Sequence, residues 1–420
     1  MKVFKFGGAS VKDAEGVKNV GSILKMYPND KLVVVISAMG KITNALETLV
    51  RAKDETEAEK ALTEIKKFHT NILQDLFPEK KNPVLDIIEG ELNNIKRSLA
   101  DRKGASFDEK YDQVVSVGEV ISSYIVNAYL SEQKIDNQWL DARNIIHTDN
   151  NYREGNVDFD KTRSMAKKLV SDSLDKHNVL ITQGFIGKTK EGKTTTLGRE
   201  GSDYTAAILA YCLDAESVTI WKDVPGVLNA DPKWFDNTVK IDHLSYQDAI
   251  ELSYYGATVI HPKTIKPLQN KGIPLFVKSF LKPSDPGTRI DNDFSQLPVP
   301  CFIFKVNQVL ISLSPKDFSF IVEQNLSNIF TELAKHKVKV NVMQNSALNF
   351  SICMDDDAEK VPGLIAALKE NFRVLYNKNL ELITIRYYDQ QTIDRVCTNK
   401  DVLLEHKSRY TVQLVVSEKK

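Results

Sequence analysis

Residues 32–37 read LVVVIS, an unbroken apolar run dominated by β-branched side chains. As a strand, such a run has no polar face to offer water and needs cover on both sides. Helices on both faces of a mostly parallel sheet supply that cover. Residues 3–6, 179–184, 217–221 and 273–279 read as further strands, with helical stretches between them. The order predicts an α/β fold. A chain of 420 residues has room for two or three domains, and 42% apolar with 27% charged content is ordinary for a globular protein.

Charge and cysteine usage narrow the function classes. Lys plus Arg and Asp plus Glu both total 56, so no basic excess points to nucleic acid or a membrane surface. Cys212, Cys301, Cys353 and Cys397 are far apart and form no CxxC. Neither a disulfide framework nor a metal site is expected, and the cytoplasm is the expected compartment. The start, MKVFKFGGAS, does not read as a signal peptide, and no apolar run approaches the roughly 20 residues of a membrane span.

Candidate chemistry gathers where strands end. Gly7 and Gly8 follow the first strand, with Ser10 as a cap for a helix through Leu24. Glycines there let backbone N–H groups approach a phosphate. Lys5 lies between Phe4 and Phe6. It either points into a polar site or snorkels from a strand edge, because an unpaired buried ammonium is costly. Ser37, Gly40 and Thr43 follow the second strand, where open α/β sheets collect ligand groups, although Thr43 equally suits a helix cap. Residues 53–103 read as charged helices without chemistry. Residues 111–130 read as one apolar helix with Glu119 in its middle, facing either a pocket or the helix edge.

Residues 187–194, GKTKEGKT, spell the G-x-x-x-x-G-K-[ST] phosphate loop. That loop needs a helix to start at its lysine. TTTLGREG follows instead, so 188–193 reads as a hairpin tip. The next stretch, TTTLGREGSDYTAA (194–207), combines a cation, a cap and an acid. Arg199 suits a carboxylate, Ser202 caps a helix over 203–215, and Asp203 suits an ammonium or a metal. The bland alternative is a capped surface helix. Residues 222–226 and 229–232 are polar turns, forming either a nucleotide shelf or an ordinary connection. Residues 243–253 read as helix, and His261-Pro262 as the start of the next. Residues 281–300, rich in Pro, Asp and Ser, read as a domain boundary. Beyond it, 309–377 follow the βαββαβ order of a ferredoxin-like unit. A shorter unit follows, with a strand at 380–388, a helix at 391–396 and a hairpin at 402–417.

Together these residues resemble the aspartate kinases of the amino-acid kinase family. The resemblance rests on Lys5-Phe6-Gly7-Gly8-Ala9-Ser10, Ile42-Thr43-Asn44, Gly118-Glu119, Gln183-Gly184-Phe185, Thr195-Thr196-Leu197-Gly198-Arg199, Gly201-Ser202-Asp203-Tyr204, Asp223-Val224-Pro225-Gly226 and His261-Pro262. It implies an αβα sandwich with a mostly parallel sheet, the amino-acid kinase fold, over 1–290. It also implies a regulatory region of two ferredoxin-like ACT units, the second short, over 301–420. The implied reaction is phosphoryl transfer from MgATP to the β-carboxylate of L-aspartate, the first step toward lysine, threonine and methionine. A carboxylate nucleophile is already ionised at neutral pH, so no histidine base is required.

By the same resemblance Lys5 and Asp203 are catalytic. Ser37, Thr43, Glu119, Phe185, Arg199 and Ser202 line the aspartate site. Lys5, Gly7, Gly8, Lys222, Asp223, Leu228, Lys233 and Thr258 hold ATP. The ACT region implies a homo-oligomer, dimer or larger, and feedback by lysine or threonine. Three positions depart from the family pattern. Thr258 stands where a lysine is usual, Leu228 where a tyrosine is common, and Glu200 where a glycine is usual. Lys222 or Lys263 is expected to replace the missing cation. The alternatives are a family member acting on glutamate, N-acetylglutamate or a nucleotide, and a non-catalytic amino-acid sensor. ATP consumption separates the sensor from the kinases.

Overall fold

Strand β1 (Lys2–Phe6) lies between β2 (Leu32–Ile36) and β7 (Ser217–Lys222), parallel to both, with Lys5 in register with Val35 and Ile220. All five β2 side chains are buried, as the apolar run requires. The computed structural model describes residues 1–79, 82–100, 104–235, 237–257, 260–293, 299–317 and 319–419. These fall into two compact units. One comprises Met1–Val227, Lys240–Ile250 and Val259–Ser295; the other comprises Leu228–Val239, Glu251–Thr258 and Gln296–Lys420.

In the first unit β1 leads through α1 (Ala14–Lys25) to β2, then to five helices: α2 (Ile42–Val50), α3 (Glu55–Leu76), α4 (Val84–Ala100), α5 (Phe107–Val115) and α6 (Val117–Glu132). β3 (Asn137–Trp139), α7 (Phe159–Leu174) and β4 (Val179–Gln183) follow. The hairpin β5 (Ile186–Lys188) and β6 (Thr194–Thr196) precedes α8 (Gly201–Leu213), which leads into β7. Next come β8 (Val227–Leu228), β9 (Lys240–Ile241), β10 (His243–Ser245), α9 (Tyr246–Tyr255), α10 (Pro262–Lys271), β11 (Leu275–Ser279) and β12 (Thr288–Asp291), of which Leu228 and residues 251–255 are counted with the other unit. The main sheet has eight strands in the order β10-β12-β11-β7-β1-β2-β4-β3. Among the described residues only its β11–β12 pairing is antiparallel.

Strand alternation decides which side chains meet which helix. Phe4, Phe6, Val34 and Ile36 share a core with Val17 and Val20 of α1 and Ile121 and Ile125 of α6. Lys5 is offset by one residue and so faces the opposite side, where α8 packs on β1 and β7.

Several elements differ from the sequence reading. The apolar stretch after residue 107 is two helices meeting at Ser116, so Glu119 lies in the first turn of α6 rather than mid-helix. The stretch Phe107–Glu132 is long and apolar enough to cross a membrane, yet 72% of its most apolar window is buried inside the fold, as in a core helix. Asp13 rather than Ser10 caps α1, its carboxylate accepting from the Gly16 N–H. Residues 243–245 form β10 before α9 starts. Residues 288–291, inside the expected boundary, form β12, because Leu275, Phe276 and Val277 of β11 give it a ladder to join. The hairpin reading of 188–193 holds, with Gly192 at φ +85° in its turn and no helix at Lys193.

In the second unit β13 (Cys301–Pro315), α11 (Glu323–Lys335), β14 (Val340–Asn345), β15 (Phe350–Asp355), α12 (Val361–Asn371) and β16 (Phe372–Arg386) are followed by α13 (Gln390–Val396), β17 (Lys400–Lys407) and β18 (Thr411–Glu418). The sheet order is β14-β15-β13-β16-β18-β17. Its first four strands have the ferredoxin-like arrangement. The expected two consecutive units instead share strands. β13 starts earlier than residue 309, and β16 joins what reads as two separate strands. Both strands bend without breaking: Asn307 and Asn379 adopt left-handed backbone at the register shifts, a conformation asparagine tolerates.

Candidate active site

The carboxyl ends of β7, β1, β2 and β4 converge on a cavity of about 870 Å3. Lys5 comes from β1, Lys222 from the end of β7, Ser37 from just past β2, and Phe185 from just past β4. This is where parallel sheets place ligand groups.

Lys5 and Asp203 form its charged floor. The ammonium lies 2.6 Å from Asp203 Oδ1, and both residues are buried, at 8% and 2% exposure. Lys222 Nζ lies 3.8 Å from Asp203 Oδ2. Burial pushes the Asp203 carboxyl up, but Lys5 and Lys222 more than offset this and hold it below its ordinary value. Glu119 behaves in the opposite way. Burial raises it from 4.5 to about 8, against a backbone hydrogen bond from Ala38, the charge of Lys5 and the Ser202 hydroxyl. Ser202 Oγ donates to Glu119 Oε2 at 3.5 Å.

The turn into α8 shapes the rest. Gly198 (φ +79°) and Glu200 (φ +54°) both adopt left-handed backbone. Glu200, not Ser202, is the N-cap, so Ser202 sits inside the first turn. The Gly201 and Asp203 N–H groups are used locally, on Gly198 O and Glu200 O. Among the described residues the Ser202 N–H has no partner, which leaves it for a ligand anion. Arg199 is exposed, lines the cavity and has no ion-pair partner among the described residues. Gly184 makes the approach of this turn to β4 feasible, since a Cβ there would lie 2.6 Å from Ser202 Oγ and 2.8 Å from its Cα. Gln183 is structural: its amide accepts from Ala142 N–H and donates to Ser123 Oγ, both at 2.8 Å.

Most of the expected site residues therefore meet. Lys5, Gly8, Ser37, Thr43, Glu119, Phe185, Arg199, Ser202, Asp203 and Lys222 all line the cavity. Gly7 stands just behind it; a Cβ there would lie 3.3 Å from Lys5 Nζ. Asp223 is exposed and outside the lining. Leu228 and Lys233 belong to the segment 228–239, grouped with the second unit. There Asn229 serves as a structural brace, accepting from Val239 N–H at 2.7 Å and donating to Pro300 O at 3.1 Å. Thr258 lies outside the described residues. Of the two suggested replacement cations, Lys222 lines the cavity, whereas Lys263 is exposed in the first turn of α10 and does not.

Sequence reading missed Asp112 and Arg153. Asp112 is fully buried, and its carboxylate accepts from the N–H groups of Arg153 and Thr196 and from Thr196 Oγ1, at 2.8–2.9 Å. Arg153 lines the cavity with its guanidinium 4.4 Å from the Tyr111 ring centroid. An acid at the end of an apolar stretch gave only a weak signal for the first, and nothing local marked the second.

The sequence profile of the Amino acid kinase family matches residues 1–279. This chain belongs to the amino acid kinase family. Within it, the chain is 32% identical over 393 residues to the lysine-sensitive aspartokinase 3 of Escherichia coli K12, covering 91% of this chain and 86% of that one. The crystal structure of E. coli aspartokinase III with aspartate and ADP (R-state) superposes with a TM-score of 0.82 at 28% identity, over 99% of this chain and 96% of that one. Its T-state with lysine and aspartate gives the same TM-score and identity, over 99% and 95%. The family profile ends at residue 279, within the unit built on the mostly parallel sheet, and the antiparallel C-terminal sheet lies beyond it, in the part of the chain that the superposition on the aspartokinase III structures covers.

Proposed function

We propose that this amino acid kinase transfers the γ-phosphoryl group of MgATP to the β-carboxylate of L-aspartate. The observation that carries the reading is the grouping of Arg199, Glu119, Ser202 and the Lys5–Asp203–Lys222 cluster around one cavity. Arg199 holds the α-carboxylate and Asp203 balances the ammonium, joined by Glu119 once the bound ammonium draws off the proton that burial keeps on it in the empty site. The β-carboxylate attacks as it stands, so no proton has to be removed. Lys5 and Lys222 neutralise charge on the transferring phosphoryl group, and the Gly7 and Gly8 amides approach it. Mg2+ arrives with the nucleotide as part of the substrate, and Asp203 is the ionised carboxylate beside both ammonium groups.

Asp223, Leu228, Lys233 and Thr258 belong to this proposal as nucleotide contacts. So do a kinase region over 1–290, an ACT region over 301–420 and assembly into a homo-oligomer through it. Lysine is the first effector to test, because the relatives include a lysine-sensitive enzyme, and threonine the second. A cytoplasmic location agrees with four cysteines that form no disulfide.

ADP release with L-aspartate, L-glutamate and N-acetylglutamate tests the reading. Release with L-aspartate alone, lost in Arg199→Ala, supports it. No release above background with L-aspartate refutes it.

A further inference from the structure

Glu200 stands at a backbone position that a β-carbon makes unfavourable. It caps α8 with φ +54° and ψ +29°, the left-handed region. Its own side chain does not cap its helix. Instead Glu200 Oε2 accepts a hydrogen bond from the backbone N–H of His261 at 2.9 Å. His261 is the N-cap of α10. At the other end of the same helix pair, Lys271 Nζ donates to Tyr211 O at 2.6 Å and pairs with Asp214. The two helices therefore lie side by side, fastened at both ends. The Glu200 fastening is the one at the cavity, next to Arg199 and two residues from Ser202.

We infer that Glu200 is a positioning residue for the amino-acid substrate. Its carboxylate ties the Arg199–Ser202 turn to the start of α10 and holds that turn in its strained shape. Without the tie, the turn is free to relax, and the Arg199 guanidinium and the Ser202 N–H lose their fixed separation. Small displacements of groups that position a substrate have large effects on binding and rate. The inference rests on the proposed aspartate kinase reading for its substrate, not for the tie itself.

The test uses the full chain and three variants. Glu200→Ala removes the acceptor and keeps the unfavourable backbone. Glu200→Gln keeps an oxygen acceptor. Glu200→Gly removes both the acceptor and the strain, so it folds even if Glu200→Ala does not. The expected result is a KM for L-aspartate raised about tenfold in the Ala variant with kcat changed far less, and a KM near wild type in Gln and in Gly, whose backbone keeps the turn without strain. Amide hydrogen exchange at His261 speeds up in Ala and Gly and not in Gln. An unchanged KM in Ala, or a KM raised as much in Gly as in Ala, overturns the inference, and so does unchanged exchange at His261 in Ala and Gly. If the wild-type chain fails to turn over L-aspartate, the functional reading falls, and exchange at His261 still decides the tie.

Discussion

Lys5 and Asp203 face each other at 2.6 Å from adjacent elements, a strand end and a helix start, with Lys222 3.8 Å from the other carboxylate oxygen. One ionised acid thus sits between two ammonium groups in a buried place, a net positive charge aimed at an anionic reaction centre. Lys222→Ala removes one of the two cations and is expected to lower kcat by about a hundredfold. Lys263→Ala, outside the cavity, is expected to leave turnover unchanged. Steady-state kinetics of the two variants checks which lysine substitutes for the family cation.

Glu119 links pH to stability and to binding. Its carboxyl is held at about 8 in the fold against 4.5 in the unfolded chain. Between those values the folded state keeps a proton that the unfolded state has lost. Stability from this group is therefore full below 4.5 and lost as pH rises to about 8. Glu119→Gln is expected to remove that loss, making the empty protein more stable than wild type at pH about 9 by on the order of a few kcal/mol. The same change raises the KM for L-aspartate. Urea unfolding at acid and alkaline pH, with and without L-aspartate, reads both effects.

Asp112 fastens two cavity-lining segments through the Arg153 and Thr196 amides. Asp112→Ala leaves those donors and the Thr196 hydroxyl without their acceptor and is expected to cost about 3 kcal/mol. Because Thr196 leads into Arg199, the KM for L-aspartate rises as well. Chemical denaturation and kinetics on the same preparation check the pair of effects.

Gly184→Ala places a methyl group against Ser202. Helix α8 has to shift, at an expected cost of about 1–3 kcal/mol. Turnover is expected to fall about a hundredfold, since Ser202 and Asp203 move together. A melting curve and kcat measurement test this; wild-type values for both contradict the packing account.

The fold was legible where apolar pattern alone decides it. The run at 32–36 demanded a doubly covered strand, and Lys5 declared itself as a charge on a buried one. Glu119 was legible as an acid in an apolar segment, though its place in the first turn of α6 was not, because the glycine nearest the break at Ser116, Gly118, lies inside α6 and not between the helices. Ser202 was misread as a cap for a related reason. The cap is Glu200, and nothing in its side chain announces left-handed backbone. β12 was hidden in a Pro- and Asp-rich stretch because its partner, β11, rather than its own composition, makes it a strand. The sharing of β13 and β16 was illegible, since two asparagines that look like turn residues bend continuous strands instead of ending them. Asp112 and Arg153 acquire their roles from contacts 41 residues apart in the chain, which local pattern does not record.

The most direct measurement is hydroxylamine trapping of the product formed from MgATP and L-aspartate, with Lys5→Ala alongside. The account predicts the β-hydroxamate of aspartate from the wild-type chain and its loss in Lys5→Ala. No hydroxamate from the wild-type chain, or an undiminished yield from Lys5→Ala, contradicts it.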